Sequence, residues 1–388
     1  METRFLYPSV VALKILWASP LPPVRSGVSD YAVELLRPLS AMARVRVVEP
    51  PATECRLPDD LDVELVPTTT RPGVGETQIV HLGNNPYHKW LVDRCADAVV
   101  VVHDVVLHHL LVEVHGAGGL LADKLYEVHG EPGRALAEAR DFGLHGRLDP
   151  FLFPATAAFV GQARGVVSHS EWGCRVVETA APGKPVVKLG LPAADPWPVD
   201  REAVRSRLGV PPEQTVIMHL GFLTREKGID AVIGGLATAL DAGANARLVL
   251  VGEEDSRSPL REAADSLGLA SRITITGWLP WHEMIGVPAA ADLGVALRAP
   301  SAGETSAAVV RFLAAGTPVA VNGSRQFLEW PPEAAPRITP GPSAHAEVAR
   351  RILAPPGNEA RRAARRTYEQ SHKPGPNAAA LIAFLKQL

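Results

Sequence analysis

Short, nearly unbroken apolar runs recur along this chain, and they constrain its fold more than any other feature. KILWAS, VRVVEP, TQIVHLG, DAVVVVHDVV, RGVVSHS and KPVVKLG follow one another in the first half, with helix-length mixed stretches between them. A strand with one wet face alternates apolar and polar residues, whereas a strand covered on both faces does not. Uninterrupted runs separated by helical stretches therefore predict a parallel sheet with helices on both sides, an α/β layer structure. The stretch LPAADPWPVDREAV, from Leu191 to Val204, is rich in proline and breaks the rhythm. Beyond it QTVIMHLGF, ARLVLVGEE, SRITITGWL, ADLGVAL and TPVAVN restart the same pattern.

At 388 residues the chain exceeds one comfortable core and suits two. The expected division is 1–195 and 196–365, two Rossmann-like doubly wound domains facing one another across a cleft, with a helical tail, 366–388, packed back on the body. A net charge of -3, from 39 basic and 42 acidic residues, gives no field for a nucleic-acid partner. Three scattered cysteines, Cys55, Cys95 and Cys174, suit a reducing compartment, so the expected location is cytoplasmic. The opening residues make a poor secretory signal, and no run reaches membrane-spanning length. The cluster ARRAARR near Ala360 fits either a peripheral contact with an anionic membrane or a solvated helix face.

The segment from Arg298 to Val321 reads as strand end, polar loop, buried helix and strand. Gly303 permits a sharp turn, and Glu304, Thr305 and Ser306 open a helix whose first N–H groups attract anions. An ordinary βαβ unit has the same pattern. Gly27 lies in a loop after the first strand, with Arg25 and Ser26 beside it and Ser29 or Asp30 as caps. Gly27 is equally a plain turn glycine. His103 and Asp104 stand where the four-valine strand meets its loop. A histidine and aspartate in sequence occur in metal-dependent phosphohydrolases too, but those are helical proteins, and a structural histidine at a strand end is the other reading. His108, His109 and His115 follow, but helical spacing spreads their rings, so no metal cluster is expected. HLGNNPYHKW mixes amide, aromatic and imidazole groups, and Asn84, Asn85, Tyr87 and His88 are the candidate acceptor wall.

Taken together, SPLPPVRSGVSDYAVELL, VVHD, HLGFLTREKGID, LVLVGEE, ITITGWL and GETSAAVVRFLAAGTPVAV resemble, in order and from Leu13 to Glu329, family 4 of the retaining glycosyltransferases, which have the GT-B fold. The resemblance implies transfer of a sugar from a nucleotide diphosphate sugar to an acceptor hydroxyl, with retained configuration and no metal or other cofactor. Front-face displacement, with closure of the domains about 191–204, is the expected mechanism. Lys227 matches the family's diphosphate-binding lysine, and a solvated lysine at a helix start is the alternative reading. His103 matches a histidine that contacts the transferred sugar. Glu304 would hold sugar hydroxyls, with Thr305 and Ser306 donating to phosphate. Gly27 matches the family's glycine loop, where backbone approaches diphosphate or acceptor closely; Gly252, Glu253 and the turn Gly277 to Leu279 match loops flanking the nucleotide, with Trp278 a base neighbour or plain core.

Two positions depart from the family. Arg311 stands where a second glutamate usually holds the ribose, which leaves ribose recognition open, and seven helical steps would return it to the face of Glu304. Phe222 stands where many members have an arginine, and Arg225 or Arg298 could replace that charge. Other chemistry on the same fold, a nucleotide-sugar epimerase or a sugar phosphorylase, and a catalytically silent nucleotide-sugar-binding subunit are the alternatives.

Overall fold

The computed structural model describes residues 13–51, 54–254 and 260–388. Among them the strands form two sheets, one of seven and one of six. The chain divides into two compact units: the first holds the residues up to Ser168 with 177–187 and 378–388, the second 169–176 and 188–377. The change of unit thus comes at Val187 and Lys188, just before the proline-rich stretch, and the last residues of the chain return to the first unit.

In the first unit, β1 (Lys14–Ala18), β2 (Arg44–Val48), β3 (Glu64–Val66), β4 (Glu76–Leu82), β5 (Val99–Val102), β6 (Gly165–Ser168) and β7 (Val186–Lys188) lie in the order β3-β2-β1-β4-β5-β6-β7. The pairs from β3 through β6 are parallel. All four valines of β5 are buried, as a strand covered on both faces requires. α1 (Gly27–Ser40) crosses from β1 to β2. Ser26 caps it, its Oγ accepting from Val28 N–H, so Gly27 is the first helical residue and the cap lies earlier than Ser29 or Asp30. The crossover from β5 to β6 is unusually long and carries α2 (His108–His115), α3 (Gly119–His129), α4 (Glu131–Asp141), α5 (Asp149–Leu152) and α6 (Thr156–Val160). α7 (Glu171–Ala180) then leads to β7.

The second unit has β8 (Thr215–Leu220), β9 (Ala246–Val251), β10 (Ile273–Gly277), β11 (Leu293–Ala296), β12 (Val319–Asn322) and β13 (Arg337–Ile338) in the order β10-β9-β8-β11-β12-β13, all parallel. Its helices are α8 (Arg201–Arg207), α9 (Ile229–Asp241), α10 (Leu260–Ser266), α11 (Trp281–Met284), α12 (Ala307–Ala314), α13 (Ala344–Leu353) and α14 (Asn358–Ser371). α15 (Pro374–Leu385) belongs from Ala378 onward to the first unit, where Phe384 and Leu388 pack at Gly165. Both strand orders reverse once, between β1 and β4 and between β8 and β11. Such switch points open a crevice at the carboxyl ends of open α/β sheets.

α9 and α13 cover one face of the second sheet through Val232, Ile233, Leu236, Val348 and Ile352, all fully or almost fully buried. Gly235 lets them meet, since a Cβ there would sit 2.6 Å from Val348 Cγ1 and 2.9 Å from the His345 carbonyl oxygen. Gly235→Ala must push α13 off the sheet, at about 1–3 kcal/mol of stability by the usual cost of overpacking. Urea unfolding should show the loss, and adding Val348→Ala should recover part of it, because that contact is shared.

Candidate functional site

In the second unit, the loops leaving β8 and β11 meet at the switch point. After β8 the chain turns at Gly221, makes one tight turn at Arg225–Lys227, and enters α9 through Gly228, whose φ of 63° is left-handed. Lys227 Nζ folds back against Gly221 and stands 3.3 Å from where a Cβ at 221 would be. The glycine leaves that space to the ammonium. Arg225, at the start of the turn, is exposed.

The loop after β11 is fixed by a small polar network. Arg298 donates its backbone N–H to Asn322 Oδ1, and its Nε forms an ion pair with Glu304 Oε1. Ser301 Oγ donates to Glu304 Oε2 at 3.0 Å and accepts from Gln326 Nε2 at 2.7 Å and from Gly303 N–H at 3.0 Å. A hydroxyl has one donor and two lone pairs, so Ser301 is saturated. Gln326 gives its other hydrogen to the Glu304 carbonyl at 2.9 Å. Glu304 is therefore clamped at carboxylate and backbone alike.

Two expectations are corrected here. α12 begins at Ala307 with Ser306 as its cap, the Oγ accepting from Val309 N–H, so Glu304 and Thr305 precede the helix. Gly303, with φ 83°, and the Ser301 network hold this stretch as a loop. Glu304 and Arg311 consequently share no helical face. Arg311 lies inside α12 at 6% exposure.

Lys227, Arg298 and Glu304 form one electrostatic set. Burial, followed by the positive charge of Arg298, lowers the Lys227 amine to about 8, against the opposing pull of Glu304 and Glu226. His219, on β8, is lowered to about 3 by burial first and then by Lys227, so it is neutral; its Nδ1 donates to the Val295 carbonyl at 3.0 Å. Two cations and one carboxylate in a partly desolvated space leave a positive balance that an anion would offset.

Beside this set, Gly252 touches the Gly221 backbone so closely that a Cβ would lie 2.1 Å from the Gly221 oxygen, and it bridges to Gly277. Glu253 accepts from Leu223 N–H through its carbonyl at 2.8 Å. Phe222 and Trp278, 41% and 39% exposed, face each other with ring centroids 5.9 Å apart, and Leu279 follows half-buried. Trp278 is thus no core residue.

The first unit presents a different surface. At the carboxyl ends of β4 and β5, His81 Nδ1 and His103 Nε2 are 3.1 Å apart, with one donating and the other accepting, so the bond requires at least one neutral ring. Tyr31 of α1 meets His103 edge-on at 4.8 Å, and Trp17 of β1 lies 4.2 Å from His81. Burial pushes the Tyr31 hydroxyl up, so it stays protonated. Asp104 Oδ2 accepts from Asn84 N–H at 2.7 Å, Asn84 Oδ1 from Leu110 N–H, and Asn85 Oδ1 from Tyr87 N–H. His88 is fully buried, bonded to the His81 carbonyl at 2.9 Å, and lowered to about 4 by burial. Tyr87 is exposed. Among the described residues no three His, Cys, Asp or Glu side chains gather as metal ligands.

Ser301, Asn322, Gln326, His81 and Tyr31 carry no local motif. What points to Asn322 and Gln326 is their place at and just beyond the carboxyl end of β12, the strand beside β11.

Residues 200–329 match the family model described as glycosyl transferases group 1. The chain is similar to the 2-deoxystreptamine glucosyltransferase of Streptomyces kanamyceticus, 31% identical over 161 residues, 41% of each chain. It is also 35% identical over 161 residues to the GDP-mannose-dependent alpha-(1-6)-phosphatidylinositol dimannoside mannosyltransferase of Mycobacterium tuberculosis, 41% of this chain and 40% of that one. It therefore spans about two fifths of the curated relatives it matches. Anabaena HepE in complex with UDP superposes with a TM-score of 0.65 at 16% identity, over 97% of this chain and 100% of that one. Sucrose-phosphate synthase from Thermosynechococcus elongatus gives 0.67 at 16% identity, over 96% and 98%. These likenesses show the α/β fold of two Rossmann-like units, and the sequence matches make residues 200–329 similar to group 1 glycosyltransferases.

The lowered lysine has a consequence for stability. Between about 8 and its ordinary 10.5, Lys227 is neutral when folded and protonated when unfolded. The unfolded state then binds more protons, so stability should rise with pH across that window. Urea unfolding at a series of pH values should show this rise in the parent and its absence in Lys227→Met.

Proposed function

We infer that this protein transfers a glycosyl group from a nucleotide diphosphate sugar to an acceptor hydroxyl, with retained configuration and without a bound metal. The observation that carries the reading is the set Lys227, Arg298 and Glu304 at the switch point of the second sheet. It lies inside the segment that matches the glycosyl transferases group 1 model. The HepE complex with UDP and the GDP-mannose-dependent relative support a nucleotide sugar as donor and differ in the base.

The chemistry assigns each group a task. Cleavage of the bond from the anomeric carbon to the diphosphate oxygen leaves negative charge on that oxygen. Lys227 and Arg298 stabilise it, and Thr305 and Ser306 lie at the same loop as further hydroxyls. The acceptor oxygen bonds the anomeric carbon on the face the diphosphate leaves, and its proton passes to the departing phosphate oxygen. No protein nucleophile takes part. Glu304, held by Ser301 and Arg298, accepts from sugar hydroxyls, and the exposed pair Phe222 and Trp278 offers a face to the base. His103, fixed by His81, is assigned to the transferred sugar, with Asn84 and Tyr87 toward the acceptor. Arg311, buried in α12, has no task in this reading.

Calorimetry with UDP, GDP, ADP and dTDP in EDTA tests the donor site. One diphosphate should bind, and Lys227→Ala or Arg298→Ala should each weaken it about ten-fold or more, from roughly 1.5–3 kcal/mol per charge-assisted bond. An arriving diphosphate restores the proton to Lys227. Binding above pH 8 should therefore take up protons, and affinity should fall as pH rises further. Failure of every diphosphate to bind refutes the reading. His103→Ala should keep donor binding and lose transfer by about 10²-fold or more, the scale of a positioned polar group in a transition state; full activity would remove His103 from the mechanism.

A further inference from the structure

The segment that closes β12 and follows it, from Asn322 to Gln326, has no task of its own in the transfer reading. Yet Asn322, Arg325 and Gln326 all reach across to the loop that carries Arg298 and Glu304. Asn322 Oδ1 accepts from Arg298 N–H, and Arg325 Nη1 donates to the Ser301 carbonyl at 2.9 Å. Gln326 Nε2 donates both to Ser301 Oγ at 2.7 Å and to the Glu304 carbonyl at 2.9 Å. The turn that aims the last two side chains carries backbone strain, since Arg325 is a non-glycine residue in the left-handed region, at φ 54°. Such a conformation persists only where the bonds around it over-determine it.

Gln326 is the most constrained of the three. It is 2% exposed, and its amide can stand only one way round. Ser301 gives its proton to Glu304 Oε2, so its Oγ meets Gln326 as an acceptor, as the Glu304 carbonyl does. Two acceptors require Nε2, not Oε1, to face the loop. Both amide hydrogens are thereby used, and Oε1 is buried with no hydrogen-bond partner among the described residues. An amide oxygen buried in that state is unfavourable, so the two donations must outweigh it.

The effect falls on one part of the site. Through Ser301, Gln326 fixes the Glu304 carboxylate, and through the carbonyl it fixes the Glu304 backbone. The groups assigned to the diphosphate are held by other means: Lys227 lies against Gly221, and the Arg298 backbone is held by Asn322.

We propose that Gln326 is a positioning residue that acts through Ser301 on Glu304, and so governs recognition of the donor's sugar while leaving its diphosphate to Lys227 and Arg298. The assignment rests on the transfer reading. Gln326→Glu keeps the shape and reverses the chemistry, because a carboxylate has no hydrogen to give, draws the Ser301 proton away from Glu304, and meets the Glu304 carbonyl as a second acceptor. At neutral pH the variant should bind the parent's nucleoside diphosphate within about two-fold and lose at least about ten-fold in kcat/KM for transfer from the matching nucleotide sugar. Its activity relative to the parent should climb as pH falls, because the new carboxyl, raised by the negative charge of Glu304, regains a proton and with it one donor. Ser301→Ala breaks the same link without adding charge, and carries the test where Gln326→Glu does not fold. It should show the same split between binding and transfer, and the loss in the double variant should fall short of the product of the two single losses. Transfer at the parent's rate in both variants overturns the proposal. So does an equal loss of diphosphate affinity and transfer, the mark of a merely structural role. A parent that binds no nucleoside diphosphate overturns the transfer reading itself, and this assignment with it.

Discussion

Two like charges, Lys227 and Arg298, are kept in one partly desolvated space by a single carboxylate, Glu304. Everything around them in the second unit serves that arrangement. Gly221 gives up the volume that a side chain would take, Gly228 turns the chain so that Lys227 points back, and Ser301 and Gln326 fix the carboxylate from the other side. Burial first, and then the repulsion, makes the lysine release its proton more readily than an exposed one. Unassisted, such a set would relax outward; two sheet ends and a saturated hydroxyl prevent it.

The two units meet their switch points with opposite chemistry. The first places neutral rings there, Trp17, His81, His103 and Tyr31, joined by an imidazole pair and edge contacts. The second places formal charge. Formal charge suits an anion, and neutral polar rings suit uncharged hydroxyls. Parallel sheets supply each in the same way, by sending loops from the carboxyl ends of adjacent strands into one crevice.

Much of this was legible in the residues. VVVV, ILWA and VIM declare themselves as doubly covered strands because nothing polar interrupts them, and Lys227 is flagged by the glycine after it. The start of α12 was not legible. GETS has the composition of a helix opening, and only the tertiary network through Ser301 and Gln326, 25 residues apart, keeps Glu304 out of the helix. Arg311 misled for the same reason, since heptad spacing has meaning only inside a helix. His81 sits within an ordinary strand, and its pairing with His103 is a fact of strand order, not of local sequence.

The lowered amine also bears on which residue the position can hold. Above about pH 8, Lys227 can shed its proton and stand neutral beside Arg298. An arginine would keep its charge at any accessible pH and would have to be solvated or matched permanently. Two fixed guanidiniums around one carboxylate would pull the loop open or trap whatever anion came first. A lysine there makes the positive charge conditional on pH and on any anion beside it, which a guanidinium cannot do.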